Sequence, residues 1–596
     1  MKKYIGLISG LLAAGMSLST AFAGGVQFHR VFAPEEGLVS RYEKPLRQEI
    51  CLNGHWNFQA DENLTVPGEN VPPLGEWDKT QIKIPSPWNV NGFFEGKQGG
   101  DFRAYPSYPK NWEKAQAAWM EKAVMVPKDW NGKEIILHFT AVAGKMVAYV
   151  NGRRVGDGFD IFFPQEFDVT KWIQFGATNQ ILVKVIAPKV FDQPGRYGHR
   201  EYLSGSFWGT YIAGIWQDVF LLAEPKIAVS DIFVQPRVNR DELAVETTIA
   251  NRSSVSTAID LSGDVREWIN EAGKSILDEP EVKWKLARKI SLKLSDQKLV
   301  LNPGEARTIT LTAKVNGSLK LWSPDSPNLY GLLLKVSDDG KPLDIKYQRF
   351  GWRQFTIDGN QFCLNGKPII LRGDSWHFLG IPQMTRRYAC AWYRLLKDAG
   401  ANAVRLHASI YPSFYHDMAD EMGIMILDES AIWASDGGPK ADSDLFWRNC
   451  RTNITELVRR DRNHPSVFGW SVCNEILPVL RNVWHAPQSM VDHCLEQISV
   501  WKNICRTNDP TRGWISGDGE WDADGRLPVI SIHYGGTGEL QRAKKSGKPW
   551  GVGETSMAYY GTPKQVSQFN GNEAYESDLG RMKGLAYGCY GLLKDQ

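Results

Sequence analysis

The spacing of apolar and polar positions divides the chain into two unlike parts. Up to about residue 357 the apolar runs are short, rich in β-branched residues and separated by Gly and Pro: EIILHF at 134–139, MVAYV at 146–150, QILVKVI at 180–186 and QDVFLL at 217–222. Runs of this length and composition predict strands. Asn151-Gly152 follows MVAYV directly, and this dipeptide favours a tight hairpin turn. Residues 24–225 therefore predict a β jelly-roll sandwich. Residues 226–357 continue in β at a different spacing, with LAVETTIA at 243–250, ARTITLTAKV at 306–315 and GLLLKV at 331–336, and predict an immunoglobulin-like β-sandwich. Pro225 and the WSPDSP stretch at 322–327 mark the joints.

From about residue 358 short apolar runs alternate with helical patterns. The runs lie at 369–371, 403–406, 424–427, 467–472, 514–516, 529–532 and 550–552, and helical spacing fills stretches such as 385–399 and 445–462. Apolar strands separated by helices predict parallel pairing with both sheet faces covered. Seven strands in series predict a (β/α)8 TIM barrel over 358–596. The eighth strand is missing from the pattern: after Gly553 one long helix over about 573–594 is expected, so the barrel reads as C-terminally truncated.

Charge and composition narrow the function. There are 69 Lys+Arg against 67 Asp+Glu. The balance argues against a nucleic-acid-coating protein and against a polybasic membrane surface. At the N-terminus Lys2-Lys3, an apolar run and Ala21-Phe22-Ala23 form a secretory signal peptide over 1–23, which predicts export to the periplasm or outside the cell. No segment is long and apolar enough to read as a membrane span. The eight cysteines show no metal-binding spacing and read mostly as small buried hydrophobes, with room for one or two disulfides. The 23 tryptophans are the compositional outlier. Core packing accounts for most of them; stacking on sugar faces is the alternative.

Active sites of such barrels sit at the C-terminal ends of the strands. Those ends read Asp374-Ser375-Trp376-His377, Arg405-Leu406-His407, Asp428-Glu429, Asn474-Glu475, His533-Tyr534 and Glu554. Glu475 and Glu554 belong to strands four and seven, on roughly opposite sides of an eight-strand mouth. Two carboxylates across a scissile bond are the apparatus of glycoside hydrolysis, in which one carboxyl stays protonated and the other is ionised.

The segment 458–476, VRRDRNHPSVFGWSVCNEI, resembles the acid/base signature of glycoside hydrolase family 2, which includes β-galactosidases, β-glucuronidases and β-mannosidases. Residues 400–429 resemble its other barrel signature, and AWMEKAVMVP, VAYVNGRRVG and GIWQDVFLL resemble its sugar-binding jelly roll. The resemblance implies a retaining exo-β-glycosidase, β-galactosidase first by family frequency. It implies that Glu475 is the acid/base, Glu554 the nucleophile and Asn474 a ligand of the sugar 2-hydroxyl. Arg405 would hold Glu554 ionised, and Tyr534 would hydrogen-bond it. His377, His407 and His533 look like ligands of substrate hydroxyls. Trp376, Trp550, Asp374 and Glu429 complete the candidate set, each with a structural alternative: barrel packing for the tryptophans, orientation of neighbours for the acids. Arg405 could instead be an ion pair with Asp428 or Glu429, and His533 a core histidine.

The chain departs from the family pattern after strand two, where Arg405-Leu406-His407-Ala408-Ser409-Ile410-Tyr411-Pro412 replaces an arginine followed by Ser-His-Tyr-Pro. No Asn-x-Lys uronate clamp follows Glu554. These departures leave β-glucuronidase and β-mannosidase as alternatives, beside an inactive carbohydrate-binding protein with an incomplete barrel. The chemistry requires no metal and no cofactor; some family galactosidases bind magnesium, but no ligand cluster here obliges it. The expected partner is an oligosaccharide or glycoside, and a homo-oligomer is compatible with the sequence.

Overall fold

The computed structural model describes residues 37–89, 108–206, 209, 211–271, 283–378 and 386–554. The leader at 1–23, the helix expected at 573–594 and the question of an eighth strand fall outside the described residues.

Two antiparallel sheets make the first sandwich. Gln48–Cys51, Val219–Glu224, Glu134–Phe139 and Gln165–Asp168 form one. Gly214–Ile215, Val142–Val150, Ala177–Ile186, Ala117–Val126, Gly54–Asp61 and Ile82–Ile84 form the other, with Arg153–Asp160 beside Val142–Val150. Asn151 and Gly152 make the tight turn between Val150 and Arg153, both with positive φ (50° and 79°). That pair of angles matches the twist of the flanking strands, which is why Asn-Gly suits the position. Trp56, Trp88, Trp112, Trp216, Trp322, Trp470 and Trp501 are fully buried, so core packing absorbs much of the tryptophan surplus.

The second sandwich pairs Ile227–Arg237, Glu242–Asn251 and Ala306–Lys314 in one sheet. Thr257–Asn270, Tyr330–Asp338 and Lys341–Phe350 lie in the other. Alternating inward residues, including Leu243, Val245, Leu332 and Leu334, fill the space between.

The barrel begins with β1 (Gly373–Trp376), β2 (Ala403–Leu406), β3 (Met425–Glu429), β4 (Val467–Asn474) and β5 (Trp514–Asp518), parallel and in sequence order. β6 (Ile530–His533) and β7 (Trp550–Glu554) pair in parallel with each other. Helices α1 (Arg386–Asp398), α2 (Ser413–Met422), α3 (Asp444–Asp461), α4 (Gln488–Asn508) and α5 (Thr537–Lys545) fill the crossovers. Ser443 caps α3 by accepting from the Leu445 amide, and Gly423 ends α2 in the left-handed conformation.

Strand one differs from expectation. The apolar run at 369–371 is not the strand; the strand follows it. The Ile369 amide donates to the Phe362 carbonyl, and Ile369 and Leu371 pack beneath the barrel with Phe355, Phe362, Phe468 and Trp514. The hydrophobic run closes the barrel floor, and the polar Gly373–Trp376 enters the sheet.

Among the described residues seven cysteines are unpaired, six of them buried. No helix among the described residues is long and apolar enough to cross a membrane.

Candidate active site

Alternation along parallel strands brings Arg405, Glu429, Ser471, Asp518, Ser531 and His533 together at the upper end of the barrel. Arg405 lies at the centre. Its guanidinium forks onto Glu429 with two bonds of 2.9 Å, and donates to Glu554 Oε1 at 2.9 Å and to Asn474 Oδ1 at 2.5 Å. Asp518 Oδ1 lies 3.3 Å from its Nε. Ser471 bridges Glu429 and Asp518 at 2.6 and 2.7 Å, and Ser531 donates to Asp518 at 3.0 Å.

Glu554 ends β7. Besides Arg405, it receives the Tyr534 hydroxyl at 2.5 Å on Oε2 and His407 Nε2 at 3.2 Å on Oε1. Glu475 immediately follows β4. It receives Ser435 Oγ at 2.6 Å on Oε2 and His533 Nδ1 at 2.9 Å on Oε1. One oxygen of Glu475 and one of Glu554 lie within 4.8 Å of each other.

Local backbone distortion produces this convergence. The register shifts between Ser471 and Asn474 where β4 meets β5, and between Ile532 and His533 where β6 meets β7. Such irregularities re-aim side chains at strand ends. Glu475, Tyr534 and Ala408 all have positive φ (54°, 50° and 33°), a conformation costing about 1–3 kcal/mol each for non-glycine residues and concentrated at functional sites. Two glycines make room. A Cβ on Gly519 would lie 2.7 Å from Glu475 Cγ and 2.8 Å from His533 Nδ1; one on Gly553 would collide with Asp518 and press on His533.

The electrostatics separate the groups. Burial pushes the Glu554 carboxyl up, but the His407 hydrogen bond and the charges of Arg405 and His533 outweigh it and hold Glu554 well below the usual range. The hydrogen bond from His533 lowers Glu475, and burial opposes this. Both carboxyls are thus held below the usual range, and the partner of Glu475 is the His533 imidazole rather than an apolar wall that would raise it. Burial pushes Glu429 up, yet four donors converge on its oxygens, a donor set suited to a carboxylate. His377 and His407 are pushed down by burial, to about 2 and about 4, and are neutral beside Arg405.

Arg405 takes both roles weighed for it, structural anchor to Glu429 and partner of Glu554. Asn474 is 1% exposed, its carbonyl on Arg405 and its amide 3.3 Å from Ser435 Oγ. His407 uses Nδ1 on Ser206 of the first sandwich, at 3.1 Å, so the sandwich reaches the site. His377 packs against His407, ring centroids 4.1 Å apart. His533 spends its nitrogens on Glu475 and Asp518 rather than facing a ligand. Trp376 packs on Trp392, centroids 4.5 Å apart. Trp550 begins β7, far along the strand from Glu554, and is buried with Ile530, Ile532, Leu540 and Ala543; it belongs to packing, because the strand's lower end faces the α5 side of the core. Asp374 is exposed and accepts from the Ser375 amide.

Asp518, Ser435, Ser206 and Glu520 escaped the sequence reading. Asp518 was within reach of the same rule, since it ends the fifth strand. Ser435 and Ser206 lie in loops whose approach no periodicity encodes. Glu520 accepts from the Ile476 and Leu477 amides and braces the turn behind Glu475. Among the described residues three groups bring metal-type donors within 4.8 Å, Glu475–His533–Glu554 among them. There the two ring nitrogens of His533 lie within hydrogen-bonding distance of Glu475 and Asp518.

Two sandwiches thus precede a parallel barrel that carries a pair of carboxyl groups at its rim. The chain belongs to glycosyl hydrolases family 2: residues 50–225 match its sugar binding domain, 227–353 its central domain and 355–514 its TIM barrel domain. A β-galactosidase of Priestia megaterium is 28% identical over 463 residues, covering 71% of this chain and 41% of the relative. A β-glucuronidase of Bacteroides fragilis is 25% identical over 500 residues, covering 81% and 62%. This chain thus spans about two fifths of the first of these relatives. The fold is also that of Ruminococcus gnavus β-glucuronidase in complex with D-glucuronic acid, with TM-score 0.66, 18% identity and coverage of 94% and 91%.

Proposed function

We propose that the protein is a retaining exo-β-glycosidase acting on terminal β-linked sugars, a β-galactosidase first of all. The observation that carries this reading is the pair Glu475 and Glu554, with oxygens within 4.8 Å of each other, Glu554 held by Arg405, His407 and Tyr534 and Glu475 by His533 and Ser435. Retaining enzymes hold their carboxyl groups roughly 5–5.5 Å apart, whereas inverting enzymes leave room for a water between them. In the proposed reaction Glu475 protonates the glycosidic oxygen and Glu554 bonds to the anomeric carbon. A water, losing its proton to Glu475, then releases the sugar. Asn474 is suited to the 2-hydroxyl. The first sandwich is read as a jelly roll and the second as immunoglobulin-like.

β-Glucuronidase is the second reading, favoured by the Bacteroides fragilis relative, which aligns over more of both chains. A panel of p-nitrophenyl β-glycosides decides between them. Release from the galactoside is expected; release from the glucuronide alone would transfer the assignment, and release from none would leave a carbohydrate-binding protein. Glu475→Ala should slow hydrolysis of unactivated glycosides by about 10²–10⁴-fold, the usual worth of a general acid. Azide should partly restore turnover of a dinitrophenyl galactoside in that variant and yield the β-azide; an α-azide would contradict retention. Export through the 1–23 leader belongs to the same proposal. N-terminal sequencing of protein secreted by a bacterial host should begin at Gly24, and a retained Met1 would count against it.

A further inference from the structure

We propose that His533 stores the proton that Glu475 delivers to the leaving group, making it a positioning residue that acts through the acid/base carboxyl. This rests on the reading of Glu475 given above. The geometry is two-sided: Nδ1 lies 2.9 Å from Glu475 Oε1 and Nε2 lies 3.4 Å from Asp518 Oδ1. Glu554 Oε2 stands 3.7 Å from the same Nδ1. Gly519 and Gly553 leave the space that the ring occupies, each within about a van der Waals contact of it.

The groups facing the imidazole are Glu475 after β4, Asp518 and Glu520 on and after β5, Glu554 on β7, Arg405 on β2 and His407 after β2. Burial and Arg405 act against the imidazolium, but the hydrogen bonds to Asp518 and Glu475 prevail and raise His533 to about 9. Glu475, lowered by the same bond, is ionised in the resting site. The pair Glu475–His533 therefore holds one proton at neutral pH, and it resides on the ring.

The proton count closes over one turnover. The Nδ1 proton crosses to the Glu475 carboxyl and passes to the glycosidic oxygen as the C1–O bond breaks and the Glu554–C1 bond forms. His533 is then neutral and Glu475 ionised. Water attacks C1, the Glu554–C1 bond breaks, and the water's proton goes to Glu475 and back to the ring. No other proton source is needed.

The test compares methyl β-galactoside, whose leaving group needs a proton, with 2,4-dinitrophenyl β-galactoside, whose leaving group does not. In His533→Gln the basic limb of kcat/KM for the methyl glycoside should move to lower pH by about one unit or more, because Glu475 now holds its proton alone. At pH 7.5 the methyl glycoside should lose about 10²-fold or more, and the dinitrophenyl glycoside far less. An unmoved limb, or equal losses on both substrates, would overturn the proposal. Imidazole 15N NMR of the wild-type protein is independent of any variant's folding. His533 should remain protonated through pH 8, and titration at or below about 6.5 would overturn the proposal as well. Glu554→Gln run in parallel separates the two ideas. If that variant is dead and His533 titrates normally, only this inference fails; if it is active, the functional reading itself fails.

Discussion

Glu554→Gln is expected to abolish turnover of every substrate, activated or not, while the protein remains folded. The amide is nearly isosteric, so packing is kept. Tyr534 can still donate to the side-chain oxygen, but Arg405 and His407 now face a neutral group. The nucleophile is lost outright, and a covalent intermediate cannot form. Leaving-group activation should not rescue it, unlike a defect in Glu475, which separates the two carboxyl roles. The check is steady-state turnover of dinitrophenyl β-galactoside together with a thermal melt. Substantial activity in a folded variant would end the assignment of Glu554.

Arg405→Met is expected to be the most damaging substitution for stability, at about 3–5 kcal/mol, the usual cost of removing one partner from a buried ionic cluster. Against a typical total of about 5–15 kcal/mol this is a large fraction. The guanidinium is buried and faces Glu429, Asp518 and Glu554 at once. Without it three carboxyl groups share a closed space, with His533 as the remaining cation beside two of them. The pH dependence has a definite sign. Asp518 and Glu554 are held below their ordinary range in the native site, so their contribution is present above about pH 4 and fades as pH falls through their folded values. The deficit of the variant should therefore be largest at neutral pH and shrink toward acid. Urea unfolding of both proteins from pH 7 down to about pH 2, through the range in which those carboxyls take up protons, measures it, and a deficit that grows toward acid would contradict the cluster's role.

Much of the fold was legible because its signals are local. The Asn151-Gly152 turn follows from the φ preferences of two residues, and the helices α1 and α3 lie within a residue or so of their spacing-based bounds. The first barrel strand differs from the apolar run because hydrophobicity marks packing, not pairing: Ile369 and Leu371 are partly buried against the cluster under the barrel while the strand beside them is polar. Trp550 misled for a related reason, since an aromatic residue near a catalytic strand end says nothing of which end it occupies.

Amino-acid order alone settled where strands end and which of those ends carry acids, amides and imidazoles, because strand length and side-chain alternation are properties of a few consecutive residues. Only the tertiary structure decided what those groups do to one another. Arg405 meets carboxylates from β3, β5 and β7, Ser206 arrives from another domain, and His533 turns from open space toward Glu475 and Asp518. Charge and protonation depend on distances of a few ångströms between segments far apart in the chain, and those distances exist only once the barrel has folded.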